Sequence, residues 1–196
     1  KVEQNDYTLT TLSIKSCDDH NIGTGTFFSE NNTDYSRLGS SIAENSNIEH
    51  LDVSFNGLVS QPTRGRGRGI LTLEVTNDAF FNGLKRNSSI SKVTLRCGRR
   101  VLAGGVFHEI LNAYQENNEH ITYLQIRSAD VQNGGENAIA DTLRCCTNIQ
   151  ELDLQNVVSG IDNNDSMDRR QRLVPLVKAI RGHCSLENLS LENCQV

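Results

Sequence analysis

The 196-residue sequence has no tryptophan, only two prolines, and few aromatic residues of any kind (5%). Aliphatic side chains must therefore form most of its hydrophobic core, and a proline-rich disordered chain is excluded. The apolar stretches are short and interrupted by charged residues, so none is long enough to be a membrane-spanning helix. A formal net charge of −5 argues against a dedicated binder of nucleic acid or of anionic membranes, because such proteins are usually basic.

Motifs for catalysis and for metal binding are also missing from the sequence. No Cys-x-x-Cys pair occurs among the six cysteines, which favours reduced structural thiols over a metal centre or a disulfide framework. The glycine-containing segment 23–26 lacks the Lys-Ser or Lys-Thr that completes a phosphate-binding loop. Because no paired nucleophile and base can be identified either, we predict no enzyme activity, no cofactor and no metal site.

One apolar pattern occurs six times: an apolar residue, two of any type, an apolar residue, one of any type, and a third apolar residue. The last two apolar positions alternate with polar ones, as in a short strand that buries one face. The six sets are Leu9/Leu12/Ile14, Ile48/Leu51/Val53, Ile90/Val93/Leu95, Ile121/Leu124/Ile126, Ile149/Leu152/Leu154 and Leu186/Leu189/Leu191.

Apolar pairs spaced by four residues precede five of these strands, which is the spacing of one helical face. The pairs are Leu38/Ile42, Phe80/Leu84, Ile110/Tyr114, Ile139/Leu143 and Leu176/Ile180. The most regular unit runs from Ile121 to Asn148, immediately before the next strand set begins at Ile149. Strands and helices that alternate at this period indicate a solenoid, in which stacked repeats bury a common core.

With these repeats the chain resembles the ribonuclease-inhibitor-like class of leucine-rich repeat proteins, over essentially its whole length. The resemblance implies an α/β solenoid in the form of a horseshoe, with parallel strands on the concave side and helices on the convex side. We therefore predict that residues 1–196 form a single leucine-rich repeat domain of about six irregular repeats. Neither end carries a polar cap, so we expect the chain to be a fragment of a longer one.

The family usually carries Asn or Cys three positions after the last apolar residue of each strand. This chain follows that rule at Cys17, Asn56 and Cys194, but not at Gly98, Ala129 and Val157. The physical requirement is a small or amide side chain that satisfies backbone groups at the turn.

Three of the intervals between strands are longer than the regular repeat. The second contains an Arg-Gly tract, 63–69, followed by the alternating residues of 70–75. Segment 70–78 is either a degenerate short repeat or a hairpin or loop laid over the array. The Arg-Gly tract could bind RNA, but it has no interleaved aromatic residue and lies in an acidic chain, which favours a solvated loop.

The third long interval contains Asp162, Asp165 and Asp168, whose spacing does not match a calcium-binding EF-hand loop. We predict instead a polar loop that leads into the next helix. Pro175 is expected in the first turn of that helix, where a missing N–H donor is tolerated.

In such a solenoid, the residues that flank the two central apolar positions of each strand would point into the concavity. Cationic residues concentrate on the third and fourth strands and acidic residues on the fifth and sixth, with a tyrosine among the cations. We predict that a partner binds at Lys92, Arg96, Tyr123, Gln125, Arg127, Glu151 and Asp153, with Arg64, Arg66 and Arg68 as further candidates in the insertion loop.

The sequence therefore predicts a non-catalytic protein–protein interaction module, and it does not identify the partner or the oligomeric state. Two alternatives stay open: a regulator of a GTPase, because some similar repeat proteins activate GTPases, and RNA association through loop 63–69. No membrane association is expected. The glycosylation sequon at Asn188 falls on a predicted concave strand, where a glycan would obstruct binding, so we expect a cytoplasmic protein.

Overall fold

The computed structural model describes residues 6–15, 33–55, 78–97, 105–116, 119–127, 135–157 and 169–194. Within these residues strands and helices alternate, and the strands form one parallel sheet in chain order. The strands are β1 (Thr11–Lys15), β2 (His50–Phe55), β3 (Lys92–Cys97), β4 (Tyr123–Arg127), β5 (Glu151–Gln155) and β6 (Asn188–Glu192). The helices are α1 (Thr33–Glu44), α2 (Asp78–Arg86), α3 (Gly105–Glu116), α4 (Gly135–Cys145) and α5 (Arg169–Gly182).

Each helix connects two consecutive strands and packs against the helices of the neighbouring repeats, α1 on α2, α2 on α3, α3 on α4 and α4 on α5. The helices thus form a second layer that follows the order of the strands. The six strands and five helices predicted from the apolar pattern are confirmed, while the curvature of a horseshoe stays a prediction. No helix in the described part of the chain is long and apolar enough to cross a membrane.

Parallel pairing aligns equivalent residues of successive repeats, so the apolar strand positions form two continuous rows across the sheet. The rows are Leu12, Leu51, Val93, Leu124, Leu152 and Leu189, and Ile14, Val53, Leu95, Ile126, Leu154 and Leu191. From β1 to β5 these rows share one core with the apolar helix residues, of which Ile42, Phe80, Leu84, Ile110, Ile139 and Leu143 are almost fully buried, whereas Leu189 and Leu191 on β6 are each 46% exposed. Burying one such side chain stabilises the fold by roughly 1.5–3 kcal/mol, so this common core holds the two layers together.

Helices α1 and α2 approach each other backbone to backbone. A Cβ atom on Gly83 would lie 2.2 Å from the carbonyl oxygen of Gly39, and one on Gly39 would lie 2.3 Å from the carbonyl oxygen of Ala79. Both distances are far shorter than a van der Waals contact. This pair of helices therefore requires glycine at both positions.

Buried asparagines connect helix ends to the strands that follow them in two neighbouring repeats. Oδ1 of Asn45 accepts a hydrogen bond from the N–H of Ile48 (2.8 Å), and Oδ1 of Asn87 accepts one from the N–H of Ile90 (2.9 Å). Nδ2 of Asn87 also donates to the carbonyl oxygens of Ile42 (2.7 Å) and Asn45 (2.8 Å) in the preceding repeat. One side chain thus shapes its own turn and links two repeats, a role that the sequence analysis did not identify.

The position three residues after the last apolar residue of a strand is described in two repeats. Sγ of Cys194 lies 3.1 Å from the carbonyl oxygen of Leu154, and thereby satisfies a backbone group as predicted for this position. Val157, the equivalent residue after β5, is buried and apolar. The other predicted positions, 17, 56, 98 and 129, lie outside the described residues.

The prediction that Pro175 lies in the first turn of its helix is wrong. Helix α5 begins at Arg169, so Pro175 lies inside the helix, beyond the first turn. The apolar pair Leu176/Ile180 identifies the buried face but not the start of the helix, and residues 169–175 before it continue the helix towards its N-terminus. The acidic segment 162–168 lies outside the described residues, as does segment 70–78 up to Asp78, where α2 begins.

Candidate functional site

The sheet face opposite the apolar core carries three rows of polar side chains, which we call the polar face. Row one contains His50, Lys92, Tyr123 and Glu151 on strands β2 to β5. Row two contains Asp52, Thr94, Gln125 and Asp153, and row three contains Ser54, Arg96, Arg127 and Gln155. All seven strand residues predicted to bind a partner therefore lie on this face.

The middle of the polar face is a chain of side-chain hydrogen bonds that crosses four strands. His50 Nε2 lies 3.0 Å from Thr94 Oγ1, Thr94 Oγ1 donates to Gln125 Oε1 (3.5 Å), and Gln125 Nε2 donates to Asp153 Oδ2. Gln155 Nε2 donates to the same carboxylate oxygen (3.1 Å). The direction of the bond between His50 and Thr94 depends on the tautomer of the imidazole ring.

Two residues of this series of hydrogen bonds are buried, although they belong to the solvent side of the sheet. Thr94 is 1% exposed and Gln125 is 6% exposed, because the longer side chains of the flanking rows cover them. Gln125 was predicted as a contact residue. Its position makes it part of the floor, so a partner would touch its neighbours first.

An ion pair joins strands β2 and β3 across rows two and three. Arg96 Nε lies 3.1 Å from Asp52 Oδ1, with the arginine side chain 47% exposed and the aspartate 14% exposed. Oδ1 has no hydrogen-bond partner among the described residues, so the contact is an electrostatic one without good hydrogen-bond geometry. A pair this open to solvent contributes at most about 1 kcal/mol to stability, which leaves Arg96 available to a binding partner.

Two further buried atoms of the polar face have unmet hydrogen-bonding capacity. Nε of Arg127 and Oδ1 of Asp153 have no hydrogen-bond partner within the described parts of the chain. A buried polar atom left in this state costs roughly 1–3 kcal/mol. Strands β4 and β5 therefore each carry one unsatisfied polar atom beneath the surface of the polar face.

A depression of about 370 Å³ opens on the polar face. Thr94 and Gln125 form its floor. The lining residues are His50, Lys92, Thr94, Arg96, Thr122, Tyr123, Gln125, Gln150 and Glu151. Five of the predicted contact residues are among them, whereas Arg127 and Asp153 lie beside the depression in rows three and two.

Burial, together with the charges around the depression, sets the protonation of His50 and Tyr123. Burial lowers the pKa of His50 below its usual value, Lys92 and Arg96 lower it further, and Asp52 only partly opposes them. His50 is therefore neutral at pH 7. Burial and the neighbouring Asp153 raise the pKa of Tyr123, so its hydroxyl group stays a hydrogen-bond donor.

The sequence analysis missed the parts of this site that depend on side-chain packing. His50, Asp52 and Thr94 were expected only as members of the concave face, and their bonds across strands could not be read from the apolar pattern. Among the described residues, no group of three His, Cys, Asp or Glu side chains could hold a metal ion. The three arginines of the insertion loop, Arg64, Arg66 and Arg68, lie outside the described residues.

No protein-family model matches the chain, and no curated protein matches it. A solved structure of leiomodin-1 actin-binding site 2 is similar to it, with 15% sequence identity and a TM-score of 0.45. The similarity covers 92% of this chain and 86% of that one. A likeness this distant carries no conclusion about the partner or the activity of this chain.

Proposed function

We propose that this chain is a leucine-rich repeat module that binds a protein partner through the polar face, without catalysing a reaction. The observation that carries the proposal is the convergence of Lys92, Arg96, Tyr123 and Glu151 around one depression, which has a hydrogen-bonded floor. The recurrent apolar motif and the strict alternation of strands and helices support the leucine-rich repeat assignment. The horseshoe form of the ribonuclease-inhibitor-like class belongs to the same proposal.

The rigidity of the polar face supports a role in binding. Its side chains stand on strands of a parallel sheet, whose other face is anchored in the common core. Immobilising a flexible side chain on binding costs about 0.5–1.5 kcal/mol. The bonds that already fix Thr94, Gln125 and Asp153 remove that cost for the floor, so a partner has to order only the longer residues around it.

Tyr123 and Arg127 are the residues on which we expect affinity to depend most. Tyrosine and arginine are enriched among the few residues that dominate binding energies. The Tyr123 ring is half-buried between the Lys92 and Glu151 strands, and the Arg127 Nε atom has no hydrogen-bond partner among the described residues. Together they offer a partner an aromatic surface and a partly exposed guanidinium group.

The test is affinity capture of partner proteins from the native source, quantified by mass spectrometry. We expect the Tyr123→Ala/Arg127→Ala variant to bind the partner of the wild type at least about 30-fold more weakly, since one dominant contact contributes about 2 kcal/mol or more. Tyr7→Ala/Arg181→Ala is the matched control, because it removes the same residue types from exposed positions away from the sheet. If Tyr123→Ala/Arg127→Ala binds the partner as the wild type does, the polar face is not the binding surface, whatever the control does.

Regulation of a GTPase and RNA association through loop 63–69 stay alternatives within this account. No observation on the described residues favours either of them. An RNA complex would weaken steeply with added salt and would be lost on replacement of the three loop arginines.

A further inference from the structure

The cations of the depression are only partly neutralised by the protein itself. Lys92 is exposed and has no ion pair among the described residues, and Arg96 pairs with Asp52 while half of its side chain stays in contact with solvent. Both lie on β3, one on each side of Thr94. His50 adds no positive charge at neutral pH, because its pKa is lowered. The β3 end of the depression is therefore suited to a single carboxylate group.

The opposite end of the same row carries the opposite charge. Glu151 is exposed on β5 and has no ion pair within the described residues, and Tyr123 on β4 separates it from Lys92. Adjacent strands lie about 4.8 Å apart, so the backbones of β3 and β5 are about 10 Å apart. Row one thus presents a cation, an aromatic ring and an anion in a line across the sheet.

From this arrangement we propose that the bound segment of the partner carries an acidic and a basic side chain about 10 Å apart. The carboxylate lies over Thr94, between Lys92 and Arg96, and the basic group lies beside Glu151. This inference rests on the proposed function and specifies the chemistry of the partner. Three residues of an extended segment, or seven residues of a helix, span the required distance of about 10 Å.

The acidic side of the polar face argues against a nucleic acid at this site. Glu151 and Asp153 lie on β5, and Glu192 lies on the neighbouring strand β6, where it pairs in register with Gln155, so a polyanion that crossed this side of the sheet would meet carboxylates on two strands. A protein segment with one acidic residue avoids that repulsion, and its basic residue gains from it. Charge complementarity of this kind fixes register and orientation more than it adds affinity.

A phage-displayed library of random 12-residue peptides, selected on the wild-type chain, tests the proposal without a known partner. We expect enriched peptides to carry an acidic and a basic residue three to seven positions apart. Selection on Lys92→Glu should shift the enriched peptides towards basic residues only. Selection on Glu151→Lys should shift them towards acidic residues only. Neither substitution alters the core or the hydrogen-bonded floor.

Substitutions on the helices provide the matched controls. Lys178→Glu on α5 and Glu44→Lys on α1 make the same charge changes at exposed positions and should leave the selected peptides unchanged. Peptides raised on the wild type should bind Lys92→Glu at least about tenfold more weakly, because like charges then face each other. The same peptides should bind both control variants as they bind the wild type.

Each other outcome contradicts a defined part of the account. Peptides that need Tyr123 but show no charge pattern, or no shift with Lys92→Glu, would overturn this inference and leave the proposed function standing. Peptides indifferent to Tyr123→Ala/Arg127→Ala, or no enrichment at all, would overturn both. Both would also be overturned if a 20-nucleotide poly(U) RNA bound the polar face more tightly than the selected peptides do, with an affinity that falls with salt and is lost in Lys92→Glu.

Discussion

Asn87 links two repeats through a buried turn, and its replacement by alanine allows the fold to be tested quantitatively. The residue is 2% exposed and lies between α2 and β3. Its amide group donates to the carbonyl oxygens of Ile42 and Asn45 and accepts from the N–H groups of Ser89 and Ile90. Alanine removes these bonds at once, together with the contact between Asn87 Oδ1 and Ser89 Oγ (3.1 Å).

The expected loss of stability follows from which groups would be left without a partner. The carbonyl oxygen of Ile42 still accepts from the N–H of Asn45, and the carbonyl oxygen of Asn45 stays 3.0 Å from Ser89 Oγ, whose single hydrogen it shares with the nearer carbonyl oxygen of Ile48 (2.8 Å). The N–H of buried Ile90 keeps no such substitute among its described bonds. Since an unsatisfied buried group costs roughly 1–3 kcal/mol and the other lost bonds add to it, we expect Asn87→Ala to lower the free energy of unfolding by about 3 kcal/mol.

Urea unfolding followed by far-ultraviolet circular dichroism measures this change. Asn82→Ala is the matched control, because Asn82 is exposed on the same helix, and its free energy of unfolding should change by no more than about 0.5 kcal/mol. Asn87→Asp keeps the shape but places a carboxylate oxygen against two carbonyl oxygens, so it should destabilise at least as much as Asn87→Ala. An Asn87→Ala effect as small as that of Asn82→Ala would refute the assigned role.

Three further predictions follow from other buried contacts. Gly83→Ala would drive a Cβ atom into a backbone oxygen of α1 and should destabilise the chain by more than about 1 kcal/mol, whereas Gly182→Ala, with nothing within 4 Å, should be neutral or stabilising in thermal unfolding. Burial raises the pKa of Cys146 to about 12, so in the native chain at pH 8 iodoacetamide should label exposed Cys184 before buried Cys146; equal labelling rates of these two cysteines in peptide mapping would contradict this. Because the pKa of His50 is lowered in the folded chain, the unfolded chain takes up the proton first as pH falls below about 6.5. Stability should therefore fall between pH 7 and pH 5, and His50→Gln should reduce that fall in urea unfolding.

The strands and helices were predictable because each depends on a local period that recurs. Leu124 and Ile126 alternate with polar residues, and Ile139 and Leu143 share one helical face, so their burial follows from spacing alone. Parallel pairing then follows from repetition, since equivalent positions of stacked repeats meet. The start of α5 was not predictable in this way, because the apolar pair after Pro175 marks a face but not a boundary.

The candidate site was predictable in its membership but not in its internal bonds. Alternation places Lys92, Tyr123 and Glu151 on one face, which the register confirms. The ion pair between Asp52 and Arg96 is diagonal, so it depends on side-chain rotamers that spacing does not determine. The linking asparagines had a usable signal, since Asn45 and Asn87 both precede the first apolar residue of their strand sets by three positions.

Site-specific photocrosslinking is the most direct test of the claim that the polar face binds a protein. The photoreactive residue p-benzoyl-phenylalanine would replace Lys92 on β3 in one variant and Lys178 on α5 in another, each incubated with the captured partner under ultraviolet light. The account predicts a crosslinked partner from position 92 and none from position 178. A crosslink from position 178 with none from position 92 would contradict it.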